Sequence, residues 1–274
     1  MREEGRSTMT RAPATRTDLR EALLRLGVEE GDLVMVHAGL RSLGPVLGGV
    51  NTVVQALLDA VGGKGTLMAY LDWEMGVEPE DFEDPRLREE IPTFDKRTAR
   101  ASRDHGILAE TLRTWPGAVR SDHPDAGMVA IGARAEWLCA DHPFRYGYGP
   151  GSPLARLVEA GGKVLMLGAP LETLTLLHHA EHLADLPGKR ITRYQRPLFV
   201  HGERRWVDFE EFDTREPVTD ALRASSVDPF TRIGEQCLAE GIGRSGTVAQ
   251  APSHLFEARR LLRRGVAWLE EYPR

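Results

Sequence analysis

Cysteine is scarce in this chain: Cys139 and Cys237 are the only two among 274 residues, and no CxxC occurs. A disulfide framework and a cysteine zinc site are therefore excluded, and a reducing compartment is expected. No apolar run approaches the ~18 residues that cross a bilayer. The opening text, MREEGRSTMTRAPATRTDLR, has no apolar middle of the kind a signal peptide needs, so a cytoplasmic location without membrane contact is expected. Basic residues are in the minority, with 35 Lys and Arg against 41 Asp and Glu and a net charge of −6. That disfavours nucleic acid, whose phosphates require a basic stripe, and mildly favours cationic ligands. No GxSxG elbow is present, which argues against an α/β-hydrolase, and no repeat of 20 to 50 residues points to a solenoid.

What is present is the composition of a globular protein, 41% hydrophobic, with material for one large core or two small ones sharing it. Residues 1–16 are polar and aperiodic and read as a flexible tail, with an α/β domain from 17 to 274. Thr17 is placed to cap a helix burying Leu19, Ala22, Leu23 and Leu26, with Gly27 as its stop. LVMVH (33–37), TLMAYL (66–71) and KVLMLG (163–168) are short runs apolar on both faces, the signature of strands covered on both sides. Asn51 is a candidate cap for the helix TVVQALLDAV. The order helix, strand, loop, helix, strand predicts an α/β layer. Residues 72–103 are acidic and proline-bearing, too long for an ordinary connection, and read as a substrate-side insertion. ITRYQRPLFV and RRWVDFEEF around HGE predict a β-hairpin. The end of the chain reads as helix, strand, helix.

Several motifs carry candidate chemistry. The stretch Gly39–Gly49 lies between a buried strand and a helix start, where free N–H groups and the helix dipole favour a phosphate; a ligand-free βα loop is the alternative. A formal GxGxxG at Gly241, Gly243 and Gly246 has helix before it and strand after it, the reverse of a dinucleotide site, so it reads as a helix stop and turn. His178, Glu181 and His182 form HxxEH in TLTLLHHAEHLAD (173–185), with all three on one helical face. Three readings fit that spacing: an inverted zincin site needing one more ligand downstream, a metal-free base oriented by a carboxylate, or a solvated surface helix. SDHPDAGM crowds Asp122, His123 and Asp125 just before a strand, and Tyr70, Asp72, Trp73 and Glu74 at the end of TLMAYL would make an acidic, aromatic lip suited to a polyamine. The run Arg259, Arg260, Arg263 and Arg264 reads as a charged helix face.

Taken together, VHAGLRSLGPVLGG, GTLMAY, RSDHPDAGMVAIG, GPGSPLARL and LMLGAPLETLTLLHHAE followed by PGKR resemble the aminoglycoside 3-N-acetyltransferases, the antibiotic N-acetyltransferase family, from about residue 17 to 270. The resemblance implies an α/β fold, a central mixed sheet flanked by helices, distinct from the common N-acetyltransferase fold. It implies acetyl transfer from acetyl-coenzyme A to the 3-amino group of 2-deoxystreptamine aminoglycosides, and suggests the branch acting on kanamycin, tobramycin, neomycin and gentamicin types. By the same resemblance the active histidine is His178 and its acidic companion Glu181. Thr173 and Thr175 match hydroxyls near the thioester, and Ser42, Leu43 and Gly44, with Arg41 nearby, match the coenzyme A loop. Asp125 and Asp213 match acidic positions that meet the cationic sugar, joined there by Tyr70, Asp72, Glu74 and His123. No metal is implied, His179 and His182 fall outside the pattern, and neither cysteine matches a nucleophile. A monomer or homodimer is expected. The competing expectations are acetylation of a different amine and a zinc hydrolase using His178 and His182.

Overall fold

The computed structural model describes residues 12–76, 85–214, 217–219, 222 and 228–272. Its elements, in chain order, are α1 (Arg16–Leu26), β1 (Leu33–Ala38), α2 (Gly49–Val61), β2 (Thr66–Tyr70), α3 (Pro85–Glu90), α4 (Gly106–Arg113), β3 (Val119–Arg120), β4 (Met128–Gly132), α5 (Ala135–Cys139), α6 (Pro153–Glu159), β5 (Lys163–Leu167), α7 (Leu176–Leu183), β6 (Ile191–Val200), β7 (Glu203–Phe212), α8 (Pro229–Ala239), β8 (Gly243–Val248), β9 (Ala251–Glu257) and α9 (Ala258–Glu271). Among the described residues, seven strands form one sheet in the order β3-β4-β2-β1-β5-β9-β8. β2, β1 and β5 are parallel, β4 and β9 flank them antiparallel, and β3 and β8 pair antiparallel with β4 and β9 at the two edges, so the sheet is mixed as expected.

The period of two in the central strands divides the core. Leu33, Met35, Met68, Val164 and Met166 point to one face, against α5, α6, α7, α8 and α9. Val34, Val36, Leu67, Ala69, Leu165 and Leu167 point to the other, against α1, α2 and α4. Both faces are thus covered, which is why these strands carry no polar side. α9 can lie close on α7 because Gly265 has no side chain: a Cβ there would stand 2.7 Å from Leu177 Cδ2 and 3.2 Å from Ala180 Cβ.

The hairpin β6–β7 stands apart from the main sheet, turning at His201 and Gly202, both at positive φ. It supports the excursion that leaves β2: Phe94 N–H donates to Pro197 O (2.7 Å), and the Arg88 guanidinium lies 3.9 Å from the Trp206 ring centroid. Phe94, Ala99, Leu198 and Phe209 form a small core of their own between the two. Residues 77–84 of that acidic stretch lie outside the described residues, as do residues 1–11 of the expected tail.

Several local expectations are corrected. The cap of α1 lies two residues before Thr17: Thr15 is its cap, its Oγ1 accepting from Asp18 N–H while its own N–H donates to Asp18 Oδ2 (2.8 Å), a reciprocal box. Just before the helix, Ala14 N–H donates to Pro45 O. Asn51 lies inside α2, which starts at Gly49 behind Gly48 with no side-chain cap. The C-terminal region holds two strands where one was expected, and of the GxGxxG glycines only Gly241 is a helix stop; Gly243 and Gly246 are in β8, Gly243 lying so close to the Phe256 ring that a Cβ would meet it at 2.5 Å. α7 is shorter than 173–185, because Leu171–Thr173 forms a separate 3-10 turn.

The cap assignment is testable by urea unfolding: Thr15→Ala should cost about 1 kcal/mol, whereas Thr17→Ala, inside the helix on an exposed face, should be neutral or slightly stabilising.

Candidate active site

Parallel strands release their chains at the same edge, and β1, β2 and β5 do so around one cavity of about 450 Å³. His37, Ala38 and Gly39 line it from β1, Ala69 and Tyr70 from β2, and Ala169 and Pro170 from the loop after β5. The β1 and β5 exits touch. A Cβ on Gly39 would stand 2.3 Å from Gly168 O, so only glycine permits this approach. The remaining walls come from His105 before α4, from Thr173, Thr175 and His178 at the start of α7, and from Phe230 in the first turn of α8. Phe230 is held there by Asp228, which caps α8 through Thr231 N–H (2.6 Å), and by Pro229 at the first helical position.

α7 is driven into the core by Leu176, Leu177 and Ala180, and that burial sets the direction of its histidines. His178 and Glu181, three apart, share a face, with Nδ1 of His178 2.8 Å from Oε2 of Glu181. The Glu181 side chain is only 5% exposed, while the His178 ring is 21% exposed at the cavity wall. A carboxylate only accepts, so Nδ1 carries the proton and Nε2 is the acceptor nitrogen of the ring. The ring is fixed between Tyr148, whose centroid is 5.0 Å away, and the edge of Phe230 at 4.9 Å. Its two neighbours go elsewhere. His179 Nδ1 is 2.8 Å from Tyr148 O, and His182 Nε2 is 2.7 Å from Glu211 Oε1, although not aligned as a hydrogen bond. The zinc alternative needs His178 and His182 on one ion, and each instead faces its own carboxylate. Among the described residues no three His, Cys, Asp or Glu side chains are grouped to hold a metal.

Residues 35–270 match the family model described as aminoglycoside 3-N-acetyltransferase. The chain belongs to that family. It is 50% identical over 267 residues to aminoglycoside N(3)-acetyltransferase VII of Streptomyces paromomycinus, covering 94% of this chain and 92% of that protein. A solved structure described as "AAC-IIIb binary with CoASH" superposes with a TM-score of 0.90 at 50% identity, over 95% of this chain and 97% of the other. "AAC-VIa bound to Sisomicin" superposes with a TM-score of 0.88 at 38% identity, over 94% and 98%. This aminoglycoside 3-N-acetyltransferase family consists of acyltransferases, and the mixed α/β sheet of the present chain is the fold of its solved members. No helix among the described residues is long and apolar enough to cross a membrane.

Against that identification, the sequence-derived residues of this family member fall into three groups. Tyr70, Thr173, Thr175 and His178 share the cavity. The Tyr70 hydroxyl donates to Asp125 O (2.9 Å) and meets the Tyr148 hydroxyl at 2.8 Å, so the His178 clamp is tied to β2. Thr173 Oγ1 donates to Pro170 O (2.8 Å), and Thr175 Oγ1 lies 3.4 Å from Thr173 O.

A second group lies outside the cavity lining. Ser42 Oγ donates to Gly39 O (2.6 Å) and lies 3.2 Å from Gly168 O, bracing the two strand exits. Gly44 packs under Gln250, and its N–H donates back to Arg41 O. Asp72 Oδ1 is 2.6 Å from His105 Nε2, and Glu74 Oε2 accepts from Arg103 N–H (2.9 Å). Asp125 Oδ1 accepts from Arg196 Nε–H (3.1 Å), and Asp213 lies 3.9 Å from Arg190 Nε.

The third group is corrected. Leu43 is 1% exposed, its side chain in the core, so any ligand contact from it is limited to the backbone. His123 is also buried, facing Phe209 and His142 rather than a substrate, and its Nδ1 accepts from Ala126 N–H (2.9 Å) to hold the HPDAG turn. The segment SDHPDAGM reads either as polar side chains gathered for function or as a capped turn, and for His123 the second holds, under a Phe209 ring that the sequence does not reveal.

Sequence reasoning missed Tyr148, Phe230, His105, His37, Asp104 and Glu172. The last two add exposed carboxyl groups to the cavity lining. Only the glycine and proline text around Tyr148 and the cap before Phe230 carried any signal.

Three buried imidazoles give the fold a pH signature. Burial holds His37 and His142 down at about 4, and His123 well below its ordinary value. Below pH ~6.5 the unfolded chain binds protons on these rings that the folded protein refuses until near 4, so stability falls as pH falls through that window. Thermal melts should show a lower Tm at pH 5 than at pH 7, and His142→Gln should flatten the difference.

Proposed function

We propose that this enzyme transfers acetyl from acetyl-coenzyme A to the 3-amino group of 2-deoxystreptamine aminoglycosides, inactivating the antibiotic. The observation that carries the reading is the His178–Glu181 pair at the wall of the strand-exit cavity. Support comes from the coenzyme A and sisomicin held by the family members described above. We place the enzyme in the cytoplasm, where buried free thiols such as Cys139 and Cys237 persist.

The chemistry follows from the state of the substrate. An aminoglycoside arrives as ammonium groups, and an ammonium has no lone pair, so the 3-amine must shed a proton before it attacks a thioester. Nε2 of His178 accepts that proton, and the imidazolium formed is stabilised by Glu181 across the 2.8 Å Nδ1 contact. General-base help of this kind contributes roughly 10²- to 10⁴-fold. Thr175, at the head of α7, supplies a hydroxyl for the oxygen that gains charge as the amine adds to the thioester, and Thr173 sits beside the thioester arm. The tetrahedral adduct then expels the thiolate, which takes the second proton of the amine nitrogen, leaving the amide and the free thiol; His178 releases the first proton to solvent, and no acyl-enzyme forms. Bringing both substrates into one cavity provides the remaining acceleration by proximity.

Recognition divides between two sides. Asp72, Asp104, Glu172 and Asp125 present negative charge to the polycation, with Glu74 and Asp213 further out. The loop of Arg41, Ser42 and Gly44, followed by the N-terminus of α2, which has no side-chain cap, receives the coenzyme phosphates.

A panel of kanamycin, gentamicin and neomycin with acetyl-coenzyme A, read by thiol release and by locating the acetylated nitrogen, tests the substrate and the position. Acetylation at the 3-amine is expected; a product modified at another nitrogen would overturn the regiochemistry. His178→Ala should lower kcat by at least ~10²-fold with little change in KM, and near-normal turnover would remove the base assignment.

A further inference from the structure

A second histidine–carboxylate pair stands beside the same cavity, its imidazole in the wall formed by β2 and the turn before α4 and its carboxylate just outside the lining. His105 closes the 3-10 turn Arg103–His105, and its Nε2 lies 2.6 Å from Asp72 Oδ1. Its ring meets Tyr70 edge-on, with centroids 4.5 Å apart. Both rings line the cavity, and the contact is sewn in place by backbone: Ser102 N–H donates to Asp72 O (3.1 Å), and Arg103 N–H to Glu74 Oε2. Asp72 keeps 34% of its side chain exposed, so one of its oxygens is held by His105 while the carboxyl group still reaches solvent.

Resting on the acetyl-transfer reading, we infer that His105 is a positioning residue that aims the Asp72 carboxylate at an ammonium group of the substrate. Its Nε2–H donates to Asp72 Oδ1 and holds the carboxylate in one orientation. The groups facing His105 are Asp72 and Tyr70 from β2 and its exit and His37 from β1, with Asp104 and Arg103 on its own turn; Arg120 of β3 acts on Asp72 from behind. Burial holds His37 down at about 4, and it does not take over the role. His105 makes no contact with His178 in this arrangement, and its effect is expected on substrate affinity and not on the proton transfer.

The test is steady-state kinetics of the whole enzyme with sisomicin and acetyl-coenzyme A. At pH 7.5, His105→Ala should raise the sisomicin KM ~10-fold, the loss of about one charge-assisted contact, with kcat and the acetyl-coenzyme A KM within about twofold. His105→Gln can still donate an N–H to Asp72 but carries no charge, and it should restore most of the KM. Equal losses in kcat and kcat/KM with KM unmoved, no effect of His105→Ala on either constant, or a KM for His105→Gln as poor as that of His105→Ala would each overturn the inference. Wild-type turnover is recorded in the same assay. Its absence would remove the acetyl-transfer reading itself, whereas turnover with an unmoved His105→Ala KM would remove this inference alone.

Discussion

Parallel pairing of β2, β1 and β5 is the constraint from which the site follows. Strands that run the same way must all release the chain at one edge, and loops from three separate stretches of sequence, near residues 38, 70 and 168, then meet around one cavity. The antiparallel flanks bring the starts of β4 and β9 to the same edge, since Met128 pairs with Tyr70 and Ser253 with Leu167. The HPDAGM turn and the β8–β9 connection are therefore neighbours of the cavity without either being near it in sequence. The close contact of Gly39 with Gly168 is what this convergence requires of the backbone.

On that frame, α7 distributes three histidines to three tasks. His179 faces inward and, through Tyr148 O, holds the segment that carries the Tyr148 ring; that ring in turn clamps His178. His182 meets buried Glu211, which ties α7 to the end of β7, where Phe212 packs on the same imidazole at 4.6 Å. His178 alone reaches the cavity. Glu181 is nearly as buried as a core residue, and a carboxylate in such a place is costly without a donor. His178 supplies that donor, so the orientation of the ring is built into the stability of the helix and does not wait for a ligand.

Much of this was legible from the residues. The strands LVMVH, TLMAYL and KVLMLG announced themselves because burial on both faces leaves no polar position. The His178–Glu181 spacing stated its own geometry, since three residues make nearly one helical turn. Other features were hidden for physical reasons. Thr15 and Thr17 are equally good caps on paper, and the choice fell to Thr15 because Asp18 completes the box with it. His123 and Leu43 were misplaced because side-chain direction in a turn depends on what packs over it, here Phe209 and the core beside α2. His105 had no motif at all. It reaches Asp72 across 33 residues of chain, and only the return of that excursion along β2 makes the pair.

The central claim is that the cavity-facing nitrogen of His178 takes the proton from the amine under attack. A structure of the enzyme with coenzyme A and an aminoglycoside bound together measures this directly. The account predicts His178 Nε2 within about 3 Å of the 3-amino nitrogen, with the Nδ1 contact to Glu181 intact. An amine beyond hydrogen-bonding reach of that nitrogen, with the ring turned toward the core or ligating an ion, would contradict it.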